Sequence, residues 1–351
     1  MPLFKLNIPP RKLVASYKKK TFTFKQPAGT SRGVLHQKES YFISISYLNY
    51  PGIIGIGECS PLWGLSIDPQ EDYEGLIRDI CADINNYPAW FHDRLTEYPS
   101  IQFGLEMALK DLEMGGKGIL FPSSFTNCEA KIPINGLIWM GSLEFMSAQI
   151  EDKIKKEFKC IKLKIGSNEF EQELSLLGNI RKKFSKEDLE LRLDANGAFN
   201  ATEALSKLEA LAQFDIHSIE QPIKAGQWEE MKSICEQSPI KIALDEELIG
   251  IVGWQKKQQL AQFIRPDYLI LKPSLVGGFK SCEGWINIAN ALGIKYWFTS
   301  ALESNIALNA IAQFTYLFNL DLPQGLGTGE LFEENFGTHT RLEGSNFFFR
   351  A

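Results

Sequence analysis

The chain has few histidines, no clustered cysteines and no excess of positive charge, and each absence removes a class of function. Its six cysteines are Cys59, Cys81, Cys128, Cys160, Cys235 and Cys282. No two lie within four residues of each other, so the close pairs of a zinc module do not occur. An even count in a chain of 351 residues is not by itself a disulfide framework, and these cysteines read as small reduced core residues. The formal net charge of -6 speaks against a nucleic-acid binder, which gathers Lys and Arg on one face. Lys18-Lys19-Lys20 is a short basic run near the start and reads as a solvated loop or strand edge. No stretch approaches the ~20 apolar residues of a membrane span. Residues 1–11 lack the apolar core of a signal peptide. The expectation is a cytoplasmic protein with neither nucleic acid nor membrane as partner. A Walker loop and a Gly-x-Ser-x-Gly elbow are also missing.

Hydrophobic residues make up 44% and charged residues 23%, the proportions of a globular protein with a substantial core. The length leaves room for one barrel of about 250 residues and a smaller domain.

The first third reads as α+β. Residues 41–47 alternate in the strand manner, Pro51-Gly52 turns the chain, and residues 53–58 return it. Asp68-Pro69 suits the start of a helix over 71–84. A second helix spans 100–114 and stops at Gly115-Gly116. From about residue 130 the pattern becomes regular. Strand-like runs at 132–138, 160–165, 189–194, 218–220, 242–245, 268–272 and 295–299 alternate with helical stretches. Seven β-α units in succession imply parallel strands and right-handed crossovers, which can close into a barrel. The competing open sheet would want a Gly-rich phosphate turn after its first strand, and Gly136 to Gly141 matches that poorly.

Polar residues end these strands in order: Lys162-Leu163-Lys164, Asp194-Ala195-Asn196, Glu220-Gln221-Pro222, Asp245-Glu246-Glu247, Lys272-Pro273-Ser274 and Thr299-Ser300-Ala301. Barrel strands share one C-terminal face, where active sites sit. Asp194 and Glu220 are 26 residues apart, and Glu220 and Asp245 are 25. One β-α unit separates each pair, so three acids stand on neighbouring strands at similar height. Close carboxylates stay ionised together only beside a cation. Hard oxygen donors favour Mg²⁺, with Mn²⁺ as the alternative. Lys162 and Lys164, two apart on a strand, face the same way. Lys272 enters from the opposite wall. Arg192, two before Asp194, shares its face as a substrate contact or a support for the acids.

These strand ends resemble the muconate-lactonising subgroup of the enolase superfamily, through Lys162-Leu163-Lys164, Asp194-Ala195-Asn196, Ile219-Glu220-Gln221-Pro222, Ala243-Leu244-Asp245-Glu246 and Leu271-Lys272-Pro273. The use of a lysine base with Mg²⁺ is a general property of that superfamily. The resemblance implies a modified (β/α)7β barrel with an α+β capping domain, divided as 1–125 cap, 126–322 barrel, and 323–351 for the last strand and a segment returning to the cap. It implies Asp194, Glu220 and Asp245 as metal ligands. Lys164 would take and return the proton, and Lys272 would stabilise an enediolate. Lys162, Asn196, Ser300 and Ala301 would lie along a small-molecule carboxylate substrate, with Ser31 and Arg32 in a cap loop closing over it together with residues 61–65. Residues 28–34, 298–306 and 325–329 are most similar to members that dehydrate a succinyl-bearing cyclohexadiene carboxylate. Racemisation of N-succinylamino acids, dipeptide epimerisation and muconate lactonisation are rival chemistries, and a barrel that has lost catalysis is a further alternative. A mandelate-type histidine base is not expected. Of His36, His92, His217 and His339, none follows Thr299, and His217 reads as structural. A homo-oligomer is left open.

Overall fold

A computed structural model describes residues 3–30, 33–337 and 339–350. Three antiparallel strands open the chain: β1 (Leu13–Thr30), β2 (Gly33–Tyr47) and β3 (Tyr50–Cys59), in that spatial order. The expected hairpin is β2–β3, where Phe42 stands opposite Glu58. The sequence reading places no strand over β1, because Lys18 to Lys20 mask its alternation. Those lysines lie on an edge strand, and Lys19 meets Glu39 of β2 at 2.7 Å.

Two helices cover this sheet. The first begins at Tyr73, after Asp72, and not at Asp68-Pro69 as the sequence suggests. Asp68 instead accepts from the N–H and the hydroxyl of Ser100, at 3.2 and 2.7 Å. It thereby satisfies an orphan donor of the other helix, Pro99–Glu113. That helix is buried on nearly every side. Leu105 and Leu109 join the core of the cap, while Phe103 and Met107 join the core of the barrel. It lies against β3 at glycine. A Cβ on Gly57 would fall 1.9 Å from the carbonyl oxygen of Gly104, so no larger residue permits this approach.

The rest is a curled parallel sheet of seven strands in chain order. They are β5 (Gly136–Ile138), β6 (Cys160–Lys164), β7 (Glu190–Asp194), β8 (Ile216–Glu220), β9 (Ile242–Leu244), β10 (Tyr268–Leu271) and β11 (Lys295–Phe298). The first expected run, 132–138, divides in two. Its start, β4 (Lys131–Pro133), pairs with the C-terminal β13 (Asn346–Phe349), itself paired with β12 (Thr340–Glu343).

The sheet edges meet at Gln324-Gly325. Gln324 bridges Ile134 and Gly325 bridges Thr299, both parallel. A Cβ on Gly325 would sit 2.4 Å from Thr299 Oγ1. Closure explains strands such as β7. Leu191 and Leu193 are buried towards the helices, while Glu190, Arg192 and Asp194 face inward. An open sheet would have to bury that charged face under helices. Phe332 bridges Phe24 of β1, which ties the C-terminal segment to the cap. Among the described residues, no helix is long and apolar enough to cross a membrane.

Candidate active site

Register sets the height of each charged group. Lys164 stands beside Asp194, and Asp194 beside Glu220, across three neighbouring parallel strands. Asp245 and Lys272 follow the last residues of β9 and β10. All five therefore emerge at the C-terminal rim. Strands β6 and β10 are four places apart in a closed barrel, so Lys164 and Lys272 come from opposite walls.

The side chains form one ionic cluster. Lys162 Nζ lies 2.9 Å from Asp194 Oδ2 and donates to Glu220 Oε2. Lys164 Nζ lies 3.3 Å from Asp194 Oδ2 and donates to Asn196 Oδ1 at 2.8 Å. Lys272 donates to Asp245 Oδ2. Asn196 also donates its amide to Glu246 Oε1 at 3.0 Å. Gln221 holds the fifth strand end in place, since its Oε1 accepts from the backbone N–H groups of Asp245 and Glu247 at 3.3 and 3.2 Å.

Burial raises the energy of every charge here, and partners decide the outcome. Burial pushes Asp194 up, but Lys162, Lys164 and Lys272 outweigh it and hold the carboxyl well below the usual range. Glu220 goes the other way: burial and the charges of Asp194 and Asp245 outweigh Lys162. Burial pulls Lys162 and Lys272 down, yet the acids beside them leave both raised.

The three acids are 1–2% exposed. Their donors are hard carboxylate oxygens, and Glu220 Oε1 is buried with no hydrogen-bond partner. That chemistry suits a small divalent cation. As the side chains stand, among the described residues no three acidic, His or Cys side chains converge on one ion-sized point. The ammonium groups of Lys162 and Lys272 sit among them and offset part of the repulsion.

Above the cluster is a cavity with a charged floor and an apolar roof. Lys162, Lys164, Asp194, Asn196, Glu246 and Lys272 line the floor. Leu35, Leu62, Trp63 and Leu65 descend from the cap, and Leu137 and Trp139 close the side. Ser300 and Ala301 line it as well, with the Ser300 hydroxyl against that of Thr328. The expected lid at 61–65 is thus at the cavity, and of the expected cap loop, residues 27–30 end β1 and 33–34 begin β2. Ser31 and Arg32 lie outside the described residues.

Arg192 is placed differently from a substrate contact. It faces inward but lies below the cavity. Its Nε is 2.7 Å from Glu190 Oε1, its Nη1 is 2.8 Å from the Pro323 carbonyl, and its guanidinium stacks 4.5 Å over Trp297. Two residues of strand rise, about 7 Å, account for the difference. His217 hydrogen-bonds Ser218 and packs at a tilt against Tyr268, away from the cavity. Glu246 is a cavity residue to which the sequence reading gave no role, although it stands next to Asp245 in the same strand-end motif.

Comparison with known proteins agrees with this architecture. The family model "Enolase C-terminal domain-like" matches residues 146–338. An o-succinylbenzoate synthase of Desulfotalea psychrophila is 44% identical, covering 94% of this chain and 97% of that protein. The chain belongs to the o-succinylbenzoate synthase family of the enolase superfamily. A solved MenC structure from Desulfotalea psychrophila superposes with a TM-score of 0.86 at 40% identity, covering 96% of this chain and 99% of that one. An L-Ala-D/L-Glu epimerase of Bacillus subtilis is 24% identical over 82% of this chain and 80% of its own length. The chain is therefore an enzyme of the enolase superfamily.

Proposed function

We propose that this enzyme is a lyase that dehydrates 2-succinyl-6-hydroxy-2,4-cyclohexadiene-1-carboxylate to 2-succinylbenzoate, a step of menaquinone biosynthesis. The observation that carries the reading is the pairing of Lys164 and Lys272 from opposite walls, with three buried acids on the strands between them. The likeness to an o-succinylbenzoate synthase over nearly the whole chain supports the substrate.

Asp194, Glu220 and Asp245 would hold Mg²⁺, or Mn²⁺ in its place. The ion supplies positive charge that makes the carbon acid beside the substrate carboxylate easier to ionise. The chain's own groups do the rest. The carboxylate seats on the cationic floor, near Lys162. The Lys164 amine takes the proton from the carbon that bears the carboxylate. The Lys272 ammonium stabilises the charge that develops on the carboxylate oxygens. Lys164 then returns the same proton to the departing hydroxyl as the carbon–oxygen bond breaks, so water leaves and the ring becomes aromatic. One lysine serving both steps makes the elimination syn. Leu62, Trp63 and Leu65 cover the carbon ring and keep solvent from the transferred proton.

The same lysine pair would serve racemisation of N-succinylamino acids, so the test sets the two reactions side by side. Purified protein is assayed with the cyclohexadiene substrate and with N-succinylamino acids, with and without Mg²⁺. Mg²⁺-dependent dehydration with negligible racemisation, lost in Lys164→Ala, is expected. Racemisation alone would overturn the assignment, and a stably folded protein inert in both assays would favour a barrel without catalysis.

A further inference from the structure

A second polar cluster is buried where the cap meets the barrel. Strand alternation puts Lys38, Ser40 and Phe42 of β2 on one face; Glu58 stands opposite Phe42 on that face, and Ser60 follows two residues on. Lys38 is 4% exposed, and Glu58 and Ser60 are fully buried. Lys38 Nζ donates to Ser60 Oγ, and Ser40 Oγ donates to Glu58 Oε1 at 2.8 Å. Ser60 begins the lid segment that continues into the cavity roof.

From the barrel side comes Glu303, also fully buried. Its Oε2 accepts from the Ala301 N–H at 2.6 Å and its Oε1 from the Ser274 hydroxyl. Ala301 lines the cavity, and Ser274 is two residues beyond Lys272. One carboxylate thus ties together the turns after β10 and β11. The second turn needs holding, because Leu302 has a φ of 64°, a left-handed conformation that is strained for a non-glycine residue. Burial raises the Glu303 carboxyl and lowers the Lys38 amine, each against the opposing pull of the other's charge.

We propose that Glu303 is a positioning residue for the reaction, fixing the Ser300–Leu302 turn and, through Ser274, the placement of Lys272. This rests on the role given to Lys272 above. Glu303 touches no reacting atom, so its effect should fall on turnover and not on binding.

The test uses the full-length enzyme with Mg²⁺ and the cyclohexadiene substrate. Glu303→Ala should lower kcat roughly 10–100-fold, the scale of a displacement of about 1 Å in a catalytic group, with KM within about threefold. Glu303→Gln should recover most of that loss, since an amide can accept from the Ala301 N–H and donate to the Ser274 oxygen. Ser274→Ala deletes only one contact and should lower kcat by a smaller factor with an unchanged urea midpoint, so it carries the test if Glu303→Ala does not fold. Full kcat in Ser274→Ala, or a Glu303→Gln no better than Glu303→Ala, would overturn the proposal. Lys272→Ala separates the two levels. Its retention of turnover would remove the role of Lys272, and this inference with it. An inactive Lys272→Ala beside fully active Ser274→Ala and Glu303→Ala would remove this inference alone.

Discussion

Replacing Glu58 by alanine should uncouple the cap from the barrel. The carboxylate belongs to β3 of the cap, yet three of its four hydrogen bonds go to the barrel. Oε1 accepts from the Ser304 N–H at 2.9 Å, and Oε2 from the Ser304 hydroxyl at 2.6 Å and the Ala307 N–H at 3.1 Å. The Ser40 hydroxyl is the fourth donor. Ser304 is the N-cap of the helix Asn305–Tyr316, so a cap-domain carboxylate sits on the positive end of a barrel helix. In Glu58→Ala the hydroxyls can turn elsewhere, and Ser60 Oγ is 3.0 Å from Ser40 Oγ. The two backbone N–H groups cannot, and each buried orphan donor costs about 1–3 kcal/mol. Lys38 also loses a nearby opposite charge. The whole should come to about 3–6 kcal/mol, a large part of the ~5–15 kcal/mol that holds a domain folded. Glu58→Gln should cost less, about 1–3 kcal/mol, because either amide orientation sets its NH2 group against only one of the two N–H donors. Urea unfolding of the three proteins gives the ranking directly, provided the denaturant slope is unchanged. An alanine variant within about 1 kcal/mol of the parent would refute the latch.

Other perturbations have equally definite outcomes. Burial raises Glu106 from its ordinary 4.5 to about 8, against the opposing effect of donors that include Gln102 and the N–H groups of Lys280 and Phe279. Between those two values the native state holds a proton that the unfolded chain has lost, so this group's contribution makes stability fall as pH rises from 4.5 and level off above 8. Glu106→Gln should remove a fall on the order of a few kcal/mol, and urea midpoints across that range that decline in parallel for variant and parent would contradict it. Gly57→Ala sets a methyl 1.9 Å from the Gly104 carbonyl and should cost at least about 3 kcal/mol or yield insoluble protein, as seen by expression and circular dichroism. A chelator should abolish turnover and added Mg²⁺ restore it. The ion should also raise the melting temperature of the parent but not that of an Asp194→Ala, Asp245→Ala double variant.

Much of the fold was legible in the chain because barrel strands advertise themselves. Short apolar runs ending in polar residues recur once per β-α unit, and the last residues of those runs are the rim. Lys162, Lys164, Asp194, Glu220, Asp245 and Lys272 could be read as one set, since parallel register turns equal spacing in sequence into equal height in space. Where that periodicity is broken, reading fails. The strand β1 was hidden by its lysines, and the first barrel run divides because β4 is claimed by a distant partner, β13.

Sequence alone therefore determined which side chains meet at the barrel rim. It did not determine what surrounds them. That Arg192 packs under the cavity on Trp297, that Asp68 serves the second helix, that Glu58 joins cap to barrel and that Glu303 joins two rim turns depends on contacts between residues up to 249 positions apart. Local periodicity carries no information about such partners. They are chosen when closure of the sheet and the glycine contact at Gly57 bring the two cores together, and burial then requires every donor and acceptor trapped between them to find a match.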